Sequence, residues 1–266
     1  MTDLHGESAG KLLPLEPVAM AALDAGRLLM ESGASAGSIE EIVETVARGL
    51  GAERVELRIG YASLAITIGI GDSGITRMRK VGALGVNQQL DEKIWRLASR
   101  VSQRELTSEQ TSAALTQAVR ETTRHPLWLT ALSVGLACAA FGRLLGVDWA
   151  GSGSVFVAAA TGQYVRGKLL HRKVNAFLCT ALVSFLCSTL GGLLAAWAGT
   201  ATLTAAVVAP VLLLVPGVPA VNAQSDILEG RPTLGSARSV TVAMMLVFIA
   251  AGLWTGRALL TWWGLV

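Results

Sequence analysis

Hydrophobic and polar positions change their rhythm at Pro126. Ahead of it, apolar residues recur at amphipathic spacings among 30 Asp, Glu, Lys and Arg residues. Beyond it, 11 such charges remain among five long apolar stretches. In residues 17–32, Ala22, Gly26, Leu29 and Met30 fall near one helical face, with Leu28 beside it, and Gly33-Ala34-Ser35 breaks the pattern. Ser38 followed by Glu41 has capping-box spacing and opens a second helix that Gly51 can close. The period then becomes two. Val55, Leu57 and Ile59 alternate with charges, a run follows at Ala62–Ile68, and Ile75–Val81 makes a third strand beyond the turn residues Gly69–Gly74 around Asp72. Helices return at Val86–Val101, with Leu90, Ile94, Leu97 and Val101 on one stripe, and at Ser108–Thr123, where Thr107 and Gln110 form a capping box. The order ααβββαα predicts a compact α+β domain over residues 1–125, long enough to bury a core of its own.

The second half reads as a membrane domain over residues 126–266, because a helix needs roughly 20 apolar residues to cross a bilayer core. Five transmembrane helices are expected, at Leu127–Leu145, Ala150–Val165, Asn175–Ala198, Leu203–Val221 and Val240–Gly256. Arg120 and Arg124 precede the first, Arg166, Lys168, Arg172 and Lys173 join the second to the third, and Arg231 and Arg238 flank the fifth. The opposite loops carry only Asp148, so the positive-inside rule predicts a cytoplasmic N-terminus and an external C-terminus. Trp149, Trp197, Trp254, Trp262 and Trp263 would then line the outer interface, with Trp128 near the inner one. Arg143 is expected to snorkel to the surface.

Composition agrees: 52% of residues are hydrophobic and 15% charged, and the mean hydropathy is +0.53. The net charge of +3 conceals a slightly acidic first half and a basic second one. No basic stripe interleaved with aromatics points to nucleic acid. Asp3, Glu7, Lys11 and Glu16 interrupt the N-terminus, so no signal peptide is expected. Cys138, Cys179 and Cys187 lie in apolar stretches without CxxC spacing, which predicts neither a metal site nor disulfides. No cofactor is expected. The first half holds His5 and, at its edge, His125, with no HExxH, GxSxG or phosphate-binding glycine loop. Glu40, Glu41 and Glu44 read as a solvated edge, with a cation or partner contact as the alternative; Asp24 and Glu31 also read as solvent-facing.

The fourth stretch differs. Pro210, Pro216, Gly217 and Pro219 prevent a regular helix over its inner third. Broken backbone at membrane depth is tolerated only against protein or a water-filled cavity, and a half-helix N-terminus can meet an anionic substrate. Beyond the break, Asn222 and Asp226 stand four apart on one face, and Arg238 opens the next helix, where it can pair with Asp226. A simple kink plus an interfacial ion pair is the plain alternative. Tyr164 and Arg166, at the inner end of the second stretch, read as a membrane anchor or as a fork for a carboxylate. Pro216, Gly217, Asn222, Asp226, Arg238, Tyr164 and Arg166 are thus the candidates for a substrate path.

Three stretches carry a family likeness: LDAGRLLMESGAS with the following IEE (Leu23–Glu41), HPLWLTALSVGLACAAFGRL (His125–Leu144) and LLLVPGVPAVNAQSDILEGRPTLGSAR (Leu212–Arg238). They resemble the threonine/serine exporter (ThrE) family, in particular its YjjP-like stand-alone N-terminal half, over roughly residues 18–260. The resemblance implies an inner-membrane exporter of small carboxylates, threonine and serine in one branch and succinate in the other. It implies as partner a separate YjjB-like five-span subunit, or homo-oligomerisation in its place. Family members often carry arginine where this chain has Ser38, so that arginine's role does not transfer. A membrane-anchored hydrolase would need a nucleophile with a base in reach, and a sensor or scaffold would need only featureless anchors. The polar break in the fourth stretch favours transport over both.

Overall fold

The computed structural model describes residues 15–71, 73–122 and 125–265. His5, Asp72 and Arg124, all used above, lie outside these residues. The chain forms two compact units, one comprising residues up to 123 together with 218–239, the other 124–217 and 240–266.

In the first unit, α1 (Leu15–Glu31) and α2 (Ala36–Gly49) precede strands β1 (Arg54–Ile59), β2 (Ser63–Ile70) and β3 (Ser73–Lys80), and α3 (Gln88–Ser102) and α4 (Ser108–Glu121) follow. The sheet is an antiparallel meander, β1-β2-β3, with Val55 opposite Ile68 and Ile68 opposite Ile75. Leu64, Ile66 and Ile68 of the central strand are fully buried. The expected order of elements is present.

Two local expectations change. One apolar face was expected on α1, yet Leu15, Ala19, Ala21, Ala22, Leu23 and Leu29 are all fully buried around it. The helix is enclosed because the sheet, α2, α3 and α4 all pack against it. Its charges Glu16, Asp24, Arg27 and Glu31 share the remaining stripe, and all are paired. Glu16 meets Arg77, Asp24 meets Arg27 and Arg79, and Glu31 meets Arg27. The Arg77 guanidinium holds the Glu16 carboxyl below its ordinary range. The second change is at the start of α2, where the cap is Ser35 rather than Ser38. The Ser35 hydroxyl accepts from the Ser38 N–H at 3.2 Å, leaving Ser38 inside the first turn. Gly33 makes the tight reversal just before it at φ +92°, where an added Cβ would lie 2.6 Å from the Gly85 carbonyl oxygen. Thr107 and Gln110 form the expected capping box on α4, with both reciprocal hydrogen bonds in place.

The second unit holds α5 (Leu127–Leu144), α6 (Trp149–His171), α7 (Ala176–Trp197), the short α8 (Leu203–Val208) and a 3₁₀ turn (Ala209–Leu214). Beyond them come α9 (Gly217–Leu228), which lies almost wholly in the first unit, and α10 (Pro232–Trp262), whose residues from Val240 onward belong to the second. Among the described residues three helices, α5, α7 and α10, are long and apolar enough to cross a membrane. The bent pair Leu203–Leu214 and Gly217–Leu228 would make a fourth. The expected second span is a helix, but a longer one than the apolar stretch, continuing past Val165 through Arg166 and Lys168 to His171. The stretch before Arg166 is itself rich in glycine, alanine and serine and holds Gln163, so it is less apolar than the other three.

Small residues set the helix spacing in this unit. The Ser184 hydroxyl on α7 donates to the Ile249 carbonyl of α10 at 2.7 Å. At Gly252, a side chain would run into the backbone of Ala181 and the Cβ of Ser184. Close backbone approach with a hydroxyl bridging two helices is how membrane helices associate when no hydrophobic gain is available between them. At the far end, Asp148 caps α6. Its Oδ1 accepts from the Gly151 N–H at 2.7 Å and the Thr200 hydroxyl at 2.6 Å, and its Oδ2 from the Ala201 N–H at 2.9 Å. The Thr200 hydroxyl first, then the Gly151 amide, holds its carboxyl below the usual range. Arg143 lies over the Trp149 ring at 4.4 Å and donates to the Val147 carbonyl, so it is anchored in the same loop.

Candidate functional site

Backbone chemistry makes the break after the 3₁₀ turn. Pro210 sits in the turn's first residues, Val215 is extended at ψ 121°, and Pro216 has no N–H to continue a helix. The chain resumes as α9 at Gly217, which has open space on its Cβ side. Pro219 falls in the first turn of α9, where a missing N–H costs nothing.

Downstream, α9 and the start of α10 form a hairpin. Gly235 permits the close approach, since a Cβ there would lie 2.8 Å from the Ala223 carbonyl oxygen. Within the first unit this hairpin is tied to the loop between α1 and α2 and to the first turns of α2 by four side chains. Asp226, fully buried, accepts from Arg238 Nη1 at 2.7 Å on Oδ2 and from the Ala36 N–H at 3.2 Å on Oδ1. Ala36 is the first residue of α2, so the carboxylate caps a helix N-terminus whose dipole favours negative charge. Arg238, 5% exposed, also reaches the Ala34 carbonyl at 3.4 Å. Asn222 Nδ2 donates to the Gly33 carbonyl at 2.7 Å. Arg231 pairs with Glu229 at 2.6 Å and with Glu40. Leu234 is buried in the same hydrophobic cluster as α1 and α2.

Of the candidate path residues, Asn222, Asp226 and Arg238 thus come together, and the Asp226–Arg238 pair forms as the spacing suggested. Both carboxylate oxygens of Asp226 are engaged by protein donors. Pro216 and Gly217 belong to the second unit, as do Tyr164 and Arg166. Tyr164 pairs with Lys168 through a cation–π contact at 4.6 Å. Glu40 and Glu44 of the acidic edge are paired, with Arg231 and Arg48.

Sequence reasoning missed the partners on the α1–α2 loop. Gly33, Ala34 and Ala36 act through backbone groups, which leave no trace in a pattern of side chains. The Arg231–Glu40 pair joins positions 191 apart. Its one sequence signal is an arginine held between Gly230 and Pro232, where the turn fixes its direction.

The family model described as "Putative threonine/serine exporter" (ThrE) matches residues 20–260. The chain is 29% identical over 246 residues to an Escherichia coli K12 protein named "Probable succinate transporter subunit YjjP", covering 91% of this chain and 93% of that one. A Klebsiella aerogenes protein of the same name is 29% identical over 238 residues, covering 89% and 90%. An "Uncharacterized protein" of Haemophilus influenzae is 27% identical over 122 residues, 46% of this chain and 40% of that one. No solved structure gives a significant match. The match spans the α1–α2 loop, the apolar helices and the Asp226–Arg238 hairpin together, and by it this chain belongs to the ThrE family of membrane exporters.

Proposed function

We propose that this chain is one subunit of an inner-membrane exporter of small carboxylate metabolites, a succinate-type dicarboxylate or threonine and serine. It works with a separate YjjB-like membrane subunit, or with further copies of itself. The names of the two relatives support the reading, since both are called succinate transporter subunits. The observation that carries it is the broken helix at Val215–Gly217, because a scaffold or a simple anchor has no use for such a break. In this reading residues 1–125 form a cytoplasmic domain and residues 126–266 cross the membrane five times, N-terminus inside and C-terminus outside. Substrate meets the break at Pro216 and Gly217. Asn222, Asp226 and Arg238 fix the hairpin that follows it, and Tyr164 and Arg166 stand as candidates for a carboxylate contact.

The test is efflux from proteoliposomes loaded with succinate, threonine and serine side by side, with this chain alone and with a YjjB-like subunit. Release of one loaded carboxylate by the pair, and not by the single chain, is expected. Full efflux from the single chain would replace the two-subunit assembly with a homo-oligomer. Retention of all three by the pair would overturn the export reading.

A further inference from the structure

The inner ends of α5 and α6 enclose an open cleft of about 490 Å³. Four basic side chains border it: His125 from the segment before α5, and Lys168, His171 and Arg172 from the end of α6. Basic residues at a helix C-terminus are ordinary, because they complement its dipole. Three features go beyond that. His125 comes from a different segment and faces the same space. Lys168 is braced over the Tyr164 ring at 4.6 Å. Among the described residues no carboxylate forms an ion pair with any of the four, whereas eight arginines elsewhere are paired. The floor is apolar, where Leu127 packs directly on Gly167.

The surfaces leading away from the cleft are apolar too. From Thr130, which also borders it, Val134, Ala137 and Phe141 follow at helical spacing along α5, and Phe141 is 49% exposed. From Lys168, Tyr164, Thr161 and Val157 follow along α6, and Val157 is 44% exposed. A cationic mouth over two partly exposed, largely apolar tracks suits an amphiphile better than a small free anion. Basic pockets between membrane helices on the cytoplasmic side take anionic headgroups.

We infer that this cleft is an oxyanion site occupied by the phosphodiester headgroup of an anionic phospholipid. Lys168 and Arg172 supply the charge, His125 and His171 supply N–H donors, and an acyl chain lies along the tracks. The site rests on the proposed orientation of the membrane helices and shares Tyr164 with the candidate contacts of the export path, but its test does not involve transport.

The purified full chain is reconstituted in phosphatidylcholine nanodiscs with or without phosphatidylglycerol, and retained lipid is measured by native mass spectrometry. Wild type should keep phosphatidylglycerol in preference to phosphatidylcholine. Each cation removed should weaken that preference about fivefold, so K168Q alone loses about fivefold and K168Q/R172Q on the order of twentyfold. K168R/R172K should retain it. Unfolding temperatures in pure phosphatidylcholine, equal for all variants, exclude a folding defect. Equal retention of the two lipids by wild type, or an unchanged preference in K168Q/R172Q, would overturn the site. Displacement of phosphatidylglycerol by inorganic phosphate or succinate would assign the cleft to a free anion and overturn the lipid occupant.

Discussion

Asp226→Ala tests the tie at the centre of the hairpin. It removes the partner of Arg238 and the acceptor of the Ala36 N–H in one step, at a position with no solvent access. An arginine left buried without its counter-charge typically costs about 3–5 kcal/mol. At roughly 3 °C per kcal/mol for a domain of this size, the first unit should unfold about 10–15 °C lower. Arg238→Met should cost a similar amount, because it strands the Asp226 carboxylate. Asp226→Ala/Arg238→Met removes both charges. Its cost should therefore fall short of the sum of the two single changes by about 2–3 kcal/mol. The charge swap Asp226→Arg/Arg238→Asp should rescue nothing, since it points a cation at the N-terminus of α2 and leaves the Ala36 N–H without an acceptor. The measurement is a double-mutant cycle on thermal unfolding of the detergent-solubilised chain, with a tryptophan signal from Trp95 in the first unit. Single changes that each cost under about 1 kcal/mol, or a double variant that is additive within about 0.5 kcal/mol, would show that the pair is not an energetically coupled unit. A swap as stable as wild type would refute the role assigned to the helix terminus.

Three further outcomes follow from the geometry. Ser35→Ala should lower stability by about 1 kcal/mol and Ser38→Ala by clearly less, because Ser35 caps α2; the reverse order in chemical denaturation would restore Ser38 as the cap. The Asp148 carboxyl titrates below its ordinary range, so its stabilising effect is complete above the unfolded value of about 3.9 and is lost as pH falls through the lower folded value. Asp148→Asn, which turns an N–H₂ toward an amide donor, should lower the unfolding temperature at pH 7, and the gap to wild type should close in strong acid; a gap independent of pH would show that the charge is not what matters. Cysteines placed at the exposed positions Ala150 and Arg172 should be labelled by an impermeant thiol reagent from opposite sides of sealed vesicles. Labelling from the same side would remove α6 from the set of spans.

Local rules read well where both partners are close in sequence. Thr107 and Gln110 are three residues apart and form the expected box, and the period-two runs became the three strands because adjacent strands pair through short turns. They failed where a neighbouring element decided. Ser38 has the spacing of a cap, but Gly33 and Ala34 already close α1, so the chain enters α2 early enough for Ser35 to take the cap. Charge misled at the end of α6, because an apolar stretch that stops at Val165 marks the end of the greasy segment and not of the helix. Lysine and arginine stems tolerate that position by keeping their heads in water.

The candidate site shows the same division more sharply. The Asp226–Arg238 pair was legible because an aspartate in an otherwise apolar region requires a counter-charge, and Arg238 opens the next helix. Its third partner was not, since any residue but proline in place of Ala36 offers the same N–H. That partner changes what the pair means. Two charges facing each other near a membrane could serve as a proton carrier or a substrate clamp. A carboxylate that also caps α2 is committed to holding the start of that helix, Asn222 holds the loop at Gly33, and Arg231 holds α2 at Glu40. The hairpin is entered from the helix break at Pro216 and left along α10, both of which continue into the second unit. The α1–α2 loop and the start of α2 therefore depend on the same four side chains, so changes at Asp226 or Arg238 should loosen both together, whereas Gly217→Ala, whose Cβ would meet nothing within 4 Å, should leave them unchanged in thermal unfolding.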